Sequence, residues 1–378
     1  MRIALLGNLA GVSNEVLLGL RREGIDARLF ITSSDISNTF GNDNLQIDPA
    51  WVSLLDPFPS LARTPSILRS VVRDISAKPF DLLKFDLLHS HTGALNFSIG
   101  AFGLYSKMRL RPYLAFATGS DFREMKSTSN INGYMLEKHF RRAKRVFLLN
   151  TDMLALRNKL DLPKAEFFPF VINEHEYSPE YVARPSWLNG KFLCFMMSNL
   201  DFGVTDNKLG RNSMKHNDRF LHAIAEYRKE NPNIHAIVLD RGPDRELAKN
   251  LVVDLGIANN VTFMPELSRA ERIRYIRMSD VIVDQFHVGA FGLGALEALA
   301  VGKPLITYLK LEGLDECYRD PPPILNAQSS ADIVSQLRAV HSLAFRHDLS
   351  QRARAWLLRH HSRDVVIQRL INLYRISI

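Results

Sequence analysis

The residues best suited to bind a phosphate group lie close together in residues 281–308. A short apolar run at 281–283 is followed by glycines at 289, 292 and 294, and then by a stretch rich in Leu and Ala. Gly302 ends that stretch, and residues 305–308 are apolar again. This order predicts a strand, a glycine loop, a helix and another strand. Backbone N–H groups at the start of such a helix favour a bound anion.

One acid, Glu297, lies inside the predicted apolar helix. Burying a carboxylate without a partner is costly, so we expect Glu297 to have one. A ribose diol is a candidate, since an acid has that role in dinucleotide folds. An ion pair with a nearby Lys or Arg, serving structure alone, is the alternative. The glycine loop does not decide between these hypotheses, because such loops also serve close packing.

Basic residues precede a predicted helix at 218–230. Lys215 lies just before it, and Lys208 and Arg211 lie further upstream. A helix dipole disfavours a cation near such a helix start.

In the first half, a predicted strand at 85–89 leads into His89-Ser90-His91. We expect the two imidazoles to point in opposite directions, one packed and the other, His91, in a cleft. A metal site would need a third ligand, and the sequence offers no evident one. Asp121 follows Gly119 and Ser120, where its side chain could cap the next turn.

Length and composition indicate a globular protein of more than one domain. The chain has 378 residues, of which 46% are hydrophobic and 23% charged, enough for two cores. The net charge of +8 is spread evenly, with 23 basic and 19 acidic residues in 1–190 and 25 and 21 in the remainder. This mild, even excess argues against a nucleic-acid partner. One basic cluster, at 138–145, is either a solvated helix end or a surface for anionic lipid or acceptor.

The two cysteines, Cys194 and Cys317, are too few for a disulfide scaffold or a zinc site. We therefore expect a cytoplasmic protein, with peripheral attachment at the inner face of the membrane as a further hypothesis. The apolar run at 3–6 is better explained by a first strand than by a signal peptide. No run of about 18 apolar residues predicts a membrane span.

Strands and helices alternate in both halves, which predicts parallel sheets covered on both faces. Helices are expected at 15–23, 66–76, 97–108 and 133–143 in the first half. Residues 172–190, with Pro179, Pro185 and Gly190, break the alternation and are the predicted linker. A second α/β series begins at 192, and the tail from about 331 is expected to be helical.

Taken together, these motifs resemble the retaining GT-B glycosyltransferases, and in particular glycosyltransferase family 4 (group 1). The resemblance extends over nearly the whole chain and is strongest over 191–308. There, Phe291-Gly292, Glu297-Ala298-Leu299-Ala300 and Gly302-Lys303-Pro304 match the donor-site signature of that family. In the first half, His89-Ser90-His91 and Gly119-Ser120-Asp121 are similar to loops that face the cleft in the family, which implies that Asp121 would contact a sugar unless it only caps the next turn.

The resemblance implies two Rossmann-like α/β domains that face a central cleft. Residues 1–185 would bind the acceptor and residues 190–360 the nucleotide-sugar, while a helix at 361–378 would pack back on the first domain. Donor-binding residues would be Gly289, Ala290, Phe291, Gly292, Leu293 and Glu297. Residues Gly7, Asn8 and Ser120 would lie on the acceptor side. The catalytic candidates are Lys215, Arg211, Asp121 and His91.

Three positions depart from the family pattern. The signature has two glutamates; Glu297 matches the second, whereas Gly289 stands at the first. Sugar hydroxyls would then need other partners, such as the N–H groups of residues 290–293. The basic pair that binds the diphosphate in the family is only partly evident: Lys215 stands where the family has its lysine, and Arg211 or Lys208 would be the second cation, with Arg211 favoured. The alternative for Lys215 is an ordinary position near a helix start. Thr118 stands where many relatives have a histidine, so His91 or Asp121 would take that polar role.

The sequence therefore predicts a glycosyltransferase that moves a hexosyl unit, with retention, from a nucleotide-sugar to a glycan or lipid-linked glycan in bacterial surface polysaccharide synthesis. No cofactor and no essential metal are expected, because Lys and Arg would neutralise the diphosphate. Two alternatives stay open. One is a catalytically impaired nucleotide-sugar binding protein, which Gly289 and Thr118 motivate. The other is a GT-B sugar-nucleotide epimerase, for which no convincing set of acids is evident.

Overall fold

The computed structural model describes residues 1–7, 11–31, 52–54, 82–91, 111–119, 122, 131–158, 160–203 and 214–378. These residues divide into two compact units. The first comprises Met1–Val171 and Arg363–Ile378, and the second Ile172–Ser362. The predicted helices at 66–76 and 97–108 lie outside the described residues.

The first unit contains a parallel sheet whose described part has seven strands in the order β3-β2-β1-β4-β5-β6-β7. The strands are β1 (Arg2–Leu6), β2 (Asp26–Ile31), β3 (Val52–Leu54), β4 (Leu87–His91), β5 (Tyr113–Ala117), β6 (Arg145–Leu148) and β7 (Glu166–Phe167). The described helices are α1 (Val12–Arg22), α2 (Ile131–Arg142) and α3 (Leu154–Arg157), followed at the C-terminus by α11 (Arg363–Arg375). Strands β4 and β5 are buried along their whole length, as expected where helices cover both faces of a sheet.

The second unit repeats this topology. Its described sheet has six parallel strands in the order β10-β9-β8-β11-β12-β13. They are β8 (Phe192–Met196), β9 (Ile234–Leu239), β10 (Val261–Met264), β11 (Val281–Val283), β12 (Leu305–Thr307) and β13 (Leu325–Asn326). The helices are α4 (Asp218–Tyr227), α5 (Arg245–Asp254), α6 (Arg269–Met278), α7 (Leu293–Val301), α8 (Leu314–Cys317), α9 (Ser330–His341) and α10 (Leu343–His361). Both strand orders are those of the doubly wound Rossmann fold, which confirms the predicted fold class.

The division between the units falls between residues 171 and 172, at the start of the predicted linker. Residues 172–190 belong to the second unit. Arg184 anchors them there, because its guanidinium donates to the carbonyls of Met278 (2.8 Å) and Lys191 (2.9 Å) and pairs with Asp280 (2.9 Å). The prolines that suggested a linker therefore lie in a segment held by side-chain hydrogen bonds.

The C-terminal helix α11 completes the first unit. Arg363 is buried and pairs with Glu15 of α1 at 2.5 Å. Gly19 of α1 lets the helices approach closely, since a Cβ there would lie 2.4 Å from Ile367 Cγ1. The two ends of the chain thus meet in one unit, and the charge on Glu15 is neutralised by a residue 348 positions away.

Candidate functional site

The carboxyl edge of the second sheet carries the features expected of a ligand site. Strand β8 lies between β9 and β11, so the connections from it run in opposite directions across the sheet. Open parallel sheets bind ligands beyond the carboxyl ends of the strands at such a switch point. Ser198 follows β8 and Asp284 follows β11, and the Ser198 hydroxyl donates to the Asp284 carbonyl at 3.0 Å. The two strand ends are thereby fixed to each other.

The buried side chain of Gln285 holds the glycine loop in place. Its amide Nε2 donates to the Ala290 carbonyl at 2.6 Å, and its Oε1 accepts from the Val288 N–H at 2.7 Å. Helix α7 then begins after Gly292, whose position has no side-chain cap. The predicted strand, loop and helix are all present, but Gln285 was not singled out from the sequence. Its only signal was a polar residue two positions after an apolar strand.

Gly289 is required by the backbone of this loop. It has φ +78, and a Cβ there would lie 2.5 Å from Cγ of Lys310. The Lys310 N–H also donates to the Gly289 carbonyl at 3.1 Å. A glutamate at this position would have to adopt the left-handed backbone conformation, and its side chain would displace Lys310. The turn therefore requires glycine at the position where the family signature has its first glutamate.

Lys215 lies at the same edge, just before α4 as predicted. Its N–H donates to the Asp201 carbonyl at 2.7 Å, and its carbonyl accepts from the Phe286 N–H at 2.8 Å. The next residue, His216, has φ +54, a conformation that costs a non-glycine residue about 1 kcal/mol. The backbone of Lys215 is thus joined both to the loop after β8 and to the glycine loop. Its proposed partners Arg211 and Lys208 lie outside the described residues.

A second cation at this edge, Arg241, was missed by the sequence analysis. It follows β9 and donates to the Met197 carbonyl at 2.6 Å and to Glu266 at 2.9 Å. Burial lowers the pKa of its guanidinium, although Glu266 opposes that shift. The signal was the sequence Arg241-Gly242-Pro243 after a strand. Gly242 has φ +111, and a Cβ there would lie 2.4 Å from the Leu200 carbonyl.

Glu297 has internal partners. The Tyr177 hydroxyl donates to its Oε1 at 2.6 Å, and Arg272 Nε lies 3.4 Å from its Oε2. The charge on Glu297 raises the pKa of Arg272, whereas burial raises the pKa of Tyr177. This is the ion pair that the sequence left open as the alternative to a ribose. A ribose at Glu297 would therefore have to share the carboxylate with Tyr177 and Arg272.

In the first unit, the switch point lies between β1 and β4. Gly7 follows β1 with φ +81, and His91 ends β4. The expectation that His89 and His91 point in opposite directions is wrong. Their rings are stacked, with centroids 4.5 Å apart, because side chains two residues apart on a strand share a face.

The environment of these histidines keeps them neutral. His89 Nδ1 is 2.5 Å from the Tyr374 hydroxyl, and its ring stacks on Phe116. Burial lowers the pKa of His91 to about 3. Within the described residues, neither ring nitrogen of His91 has a hydrogen-bond partner. His91 is therefore a neutral imidazole with hydrogen-bonding capacity at the switch point of the first unit.

Other predicted site residues, Asn8, Ser120 and Asp121, lie outside the described residues. Thr118 is described, and its carbonyl accepts from the Asn150 amide at 3.0 Å. Nothing in the described structure tests the acceptor-side assignments, so they stay predictions.

Several charges of the basic cluster at 138–145 have partners within the protein. Arg141 pairs with Glu137 and Asp161, both at 2.8 Å. Arg145 pairs with Glu166 at 2.5 Å, and Lys144 donates to the Ser377 carbonyl at 2.7 Å. These contacts support the hypothesis of a solvated helix end over a lipid-binding surface. Among the described helices, none combines the length and the apolar character needed to cross a bilayer.

Comparison with known families decides the nature of the second unit. Residues 210–356 match the family described as "Glycosyl transferases group 1". The chain carries a group 1 glycosyltransferase domain. This domain contains the β11–α7 segment, Lys215 and Arg241, and the match confirms the resemblance inferred from residues 289–304.

Related proteins match this chain over limited lengths. A D-inositol 3-phosphate glycosyltransferase from Mycolicibacterium gilvum is 35% identical over 94 residues, which are 24% of this chain and 21% of that protein. The alignment thus spans about a fifth of the relative.

Solved structures match over the whole chain at low identity. Sucrose-phosphate synthase from Thermosynechococcus elongatus has a TM-score of 0.73 at 16% identity, covering 100% of this chain and 99% of that one. Anabaena HepE, in complex with UDP and glucose, has a TM-score of 0.71 at 13% identity, covering 99% of each chain. At these identities the likeness establishes the fold alone.

Proposed function

We propose that this protein transfers a sugar from a nucleotide-sugar to an acceptor, with the donor bound at the switch point of the second unit. The observation that carries the proposal is the position of the group 1 domain match. It covers Lys215, Arg241 and the uncapped start of α7, which all lie beyond the carboxyl ends of the strands of the second sheet. A diphosphate is the ligand that two cations and a helix start suit best.

The proposed reaction needs fixed positive charge more than a protein nucleophile. The bond between the anomeric carbon and the diphosphate oxygen breaks, and negative charge builds on that oxygen. The acceptor hydroxyl forms the new bond on the same face, and its proton goes to the leaving phosphate, so that configuration is retained. Lys215, Arg241 and the start of α7 stabilise the departing diphosphate in this scheme, with Arg211 as a further proposed cation. Losing one such charge is expected to cost about 10²–10³ in rate.

The residues proposed to bind the rest of the donor belong to the same site. Gly289, Ala290, Phe291, Gly292 and Leu293 are proposed to approach the sugar and diphosphate through their backbone, since the loop offers no carboxylate at 289. Glu297 is proposed to bind the ribose while still paired with Arg272. We propose a hexosyl unit as the transferred group and no requirement for a divalent metal.

The acceptor is proposed to bind the first unit, where Gly7 and His91 mark the switch point, with Asn8, Ser120 and Asp121 as further candidates. A neutral His91 can donate a hydrogen bond to a hydroxyl group of the sugar acceptor, or accept one from it. The proposed acceptor is a glycan or lipid-linked glycan of a bacterial surface polysaccharide. D-inositol 3-phosphate, named for the relatives, is a further acceptor to test. A cytoplasmic location completes the proposal.

A donor panel tests the function directly. The purified chain is incubated with UDP- and GDP-sugars, with and without acceptors, and release of nucleoside diphosphate is measured. Acceptor-dependent release supports transfer, and the anomeric configuration of the product, read by NMR, reports retention. Binding without release across acceptors would favour the binding protein. Isomerised sugar nucleotide without any acceptor would favour the epimerase. A Lys215→Met variant should lose most of the release, whereas Lys249→Met, which removes a surface cation paired with Asp240, should not.

A further inference from the structure

Tyr177 is a buried tyrosine beside the proposed ribose acid, and the mechanism above gives it no role. It is only 3% exposed, and its hydroxyl donates to Glu297 Oε1 at 2.6 Å. Burial and, after it, the charge on Glu297 raise the pKa of Tyr177, so the hydroxyl keeps its proton and acts as the donor. This bond joins the segment that begins the second unit to helix α7.

Contacts other than the one with Glu297 hold Tyr177 in place. Arg354 of α10 donates to the Tyr177 carbonyl at 3.1 Å, and the guanidinium of Arg269 in α6 lies over its ring, 5.4 Å from the centroid. The next residue is held as well, since Arg277 of α6 donates to the Ser178 carbonyl at 3.0 Å. A hydroxyl on a ring constrained in this way can fix the orientation of the group that accepts its hydrogen bond.

The two oxygens of Glu297 differ in how closely they are held. Oε1 accepts the bond of 2.6 Å from Tyr177, whereas Arg272 lies 3.4 Å from each oxygen, through Nη2 for Oε1 and through Nε for Oε2. A carboxylate offers about four acceptor sites, so Oε2 keeps lone pairs for the hydroxyls of a ribose. Tyr177 makes the shortest of these contacts and therefore sets the orientation of the carboxylate, while Arg272 balances its charge.

We propose that Tyr177 is a positioning residue of the donor site, whose hydroxyl turns the Glu297 carboxylate so that Oε2 faces the ribose. The proposal rests on the proposed function, because it concerns the same ligand. Tyr177 stays in place when the ribose binds, because Arg269 and Arg354 hold it independently of Glu297. If its hydroxyl instead occupied the place of a ribose hydroxyl, removing it would strengthen nucleotide binding.

The preference of the full chain for a ribose tests this role more sharply than affinity alone. UDP and 2′-deoxy-UDP are compared by isothermal titration, or GDP and its 2′-deoxy form if the wild type binds GDP more tightly. We expect the wild type to prefer the ribose form about tenfold, because the deoxy form lacks a hydrogen bond to a charged group. Tyr177→Phe removes only the hydroxyl and should reduce this ratio below about threefold. A purely structural role would weaken both nucleotides alike and leave the ratio unchanged.

A double-mutant cycle tests whether Tyr177 acts through Glu297. Glu297→Gln should also reduce the preference, and adding Tyr177→Phe should then change it by less than about twofold. Tyr227→Phe is the matched control. Tyr227 is a buried tyrosine at the last residue of α4, whereas Lys215 precedes the first turn of that helix, so this variant should keep both the affinity and the preference.

If Tyr177→Phe does not fold, a crystal structure of the wild-type chain with UDP replaces it. The Tyr177 hydroxyl should then remain within about 3 Å of Glu297 Oε1, with a ribose hydroxyl at a similar distance from Oε2. A tyrosine displaced from Glu297 by the ribose would overturn the positioning role.

The outcomes separate the inference from the function. An unchanged preference or a higher affinity in Tyr177→Phe, or an equal change with and without Glu297→Gln, overturns the positioning role while UDP binding still reports a donor site. A wild-type chain that binds UDP without preferring the ribose form overturns both the ribose assignment and the inference. If the wild type binds neither UDP nor GDP, the proposed function fails and the inference fails with it.

Discussion

At the scale of single residues, Glu297 has to satisfy Arg272 and Tyr177 as well as any ligand. Glu297→Ala would remove the carboxylate that faces Arg272, and breaking a largely buried pair costs about 3 kcal/mol. Glu297→Gln keeps the acceptor for Tyr177 and the shape, so it is the more informative change. If the acid binds a ribose, we expect both variants to weaken nucleotide binding about tenfold, with the larger loss of stability in Glu297→Ala.

Titration with UDP and GDP, together with melting temperatures, separates these effects. Should both variants bind nucleotide as the wild type does, Glu297 is a structural acid and the ribose assignment is withdrawn.

Gly289 gives a second prediction at this scale. Gly289→Glu restores the family signature but places a side chain at φ +78 against Lys310. We expect it to lower stability by about 1–3 kcal/mol and not to raise turnover. Gly313→Glu is the matched control, because Gly313 has φ +73 with nothing within 4 Å of a Cβ. It carries the same backbone strain without the clash, so it should lose less stability. Higher turnover in Gly289→Glu would contradict this account of the loop.

At the scale of elements, the alternation of apolar runs and helical segments was enough to predict both parallel sheets. It did not reveal Gln285 or Arg241, because single polar residues after strands are common and only the folded chain shows which carbonyls they reach. The expectation for His89 and His91 was wrong, because residues two apart on a strand share a face and we had placed them on opposite faces. For Glu297 the sequence led us to expect a partner and left an ion pair as the alternative to a ribose. It could not identify Tyr177, which lies 120 residues away and belongs to no local pattern.

The buried histidines of the first unit predict a pH dependence of stability. Burial lowers the pKa values of His91 and His139 to about 3, and lowers that of His89 well below 6.5. The unfolded chain therefore binds protons more tightly at these sites than the folded chain does. Their contribution to stability is complete above pH 6.5 and is lost as the pH falls from 6.5 toward 3.

Each such histidine should cost up to about 1.4 kcal/mol per pH unit in that window. Urea unfolding at pH 7.5, 6 and 5 measures how steeply the free energy of unfolding changes with pH. His91→Gln should reduce that slope by up to the contribution of one histidine. A variant with the wild-type slope would show that His91 is accessible to protons in the folded chain.

At the scale of the whole molecule, the two units were expected from length and alternation, and the return of the C-terminal helix from the family resemblance. The position of the division between the units was not expected. The prolines after residue 178 resemble a linker, whereas Arg184 holds their segment to the second unit. Hydrogen bonds of this kind join residues about 95 positions apart, beyond what local composition reports.

The first unit should depend on the last sixteen residues. Deleting 363–378 removes Arg363 from Glu15 and Tyr374 from His89, so we expect the first unit to lose its cooperative unfolding transition. Arg363→Met alone should cost about 3–5 kcal/mol, and adding Glu15→Gln should recover part of this by removing the buried charge. A truncated chain with unchanged unfolding transitions would contradict this dependence.

The central claim is that the switch point of the second unit binds the donor diphosphate. A crystal structure of the full chain with a bound nucleotide-sugar tests it most directly. The account predicts density for the diphosphate within about 3 Å of the Lys215 ammonium and the N–H groups at the start of α7. Density for the diphosphate at any other place, with Lys215 turned away from it, would contradict the account.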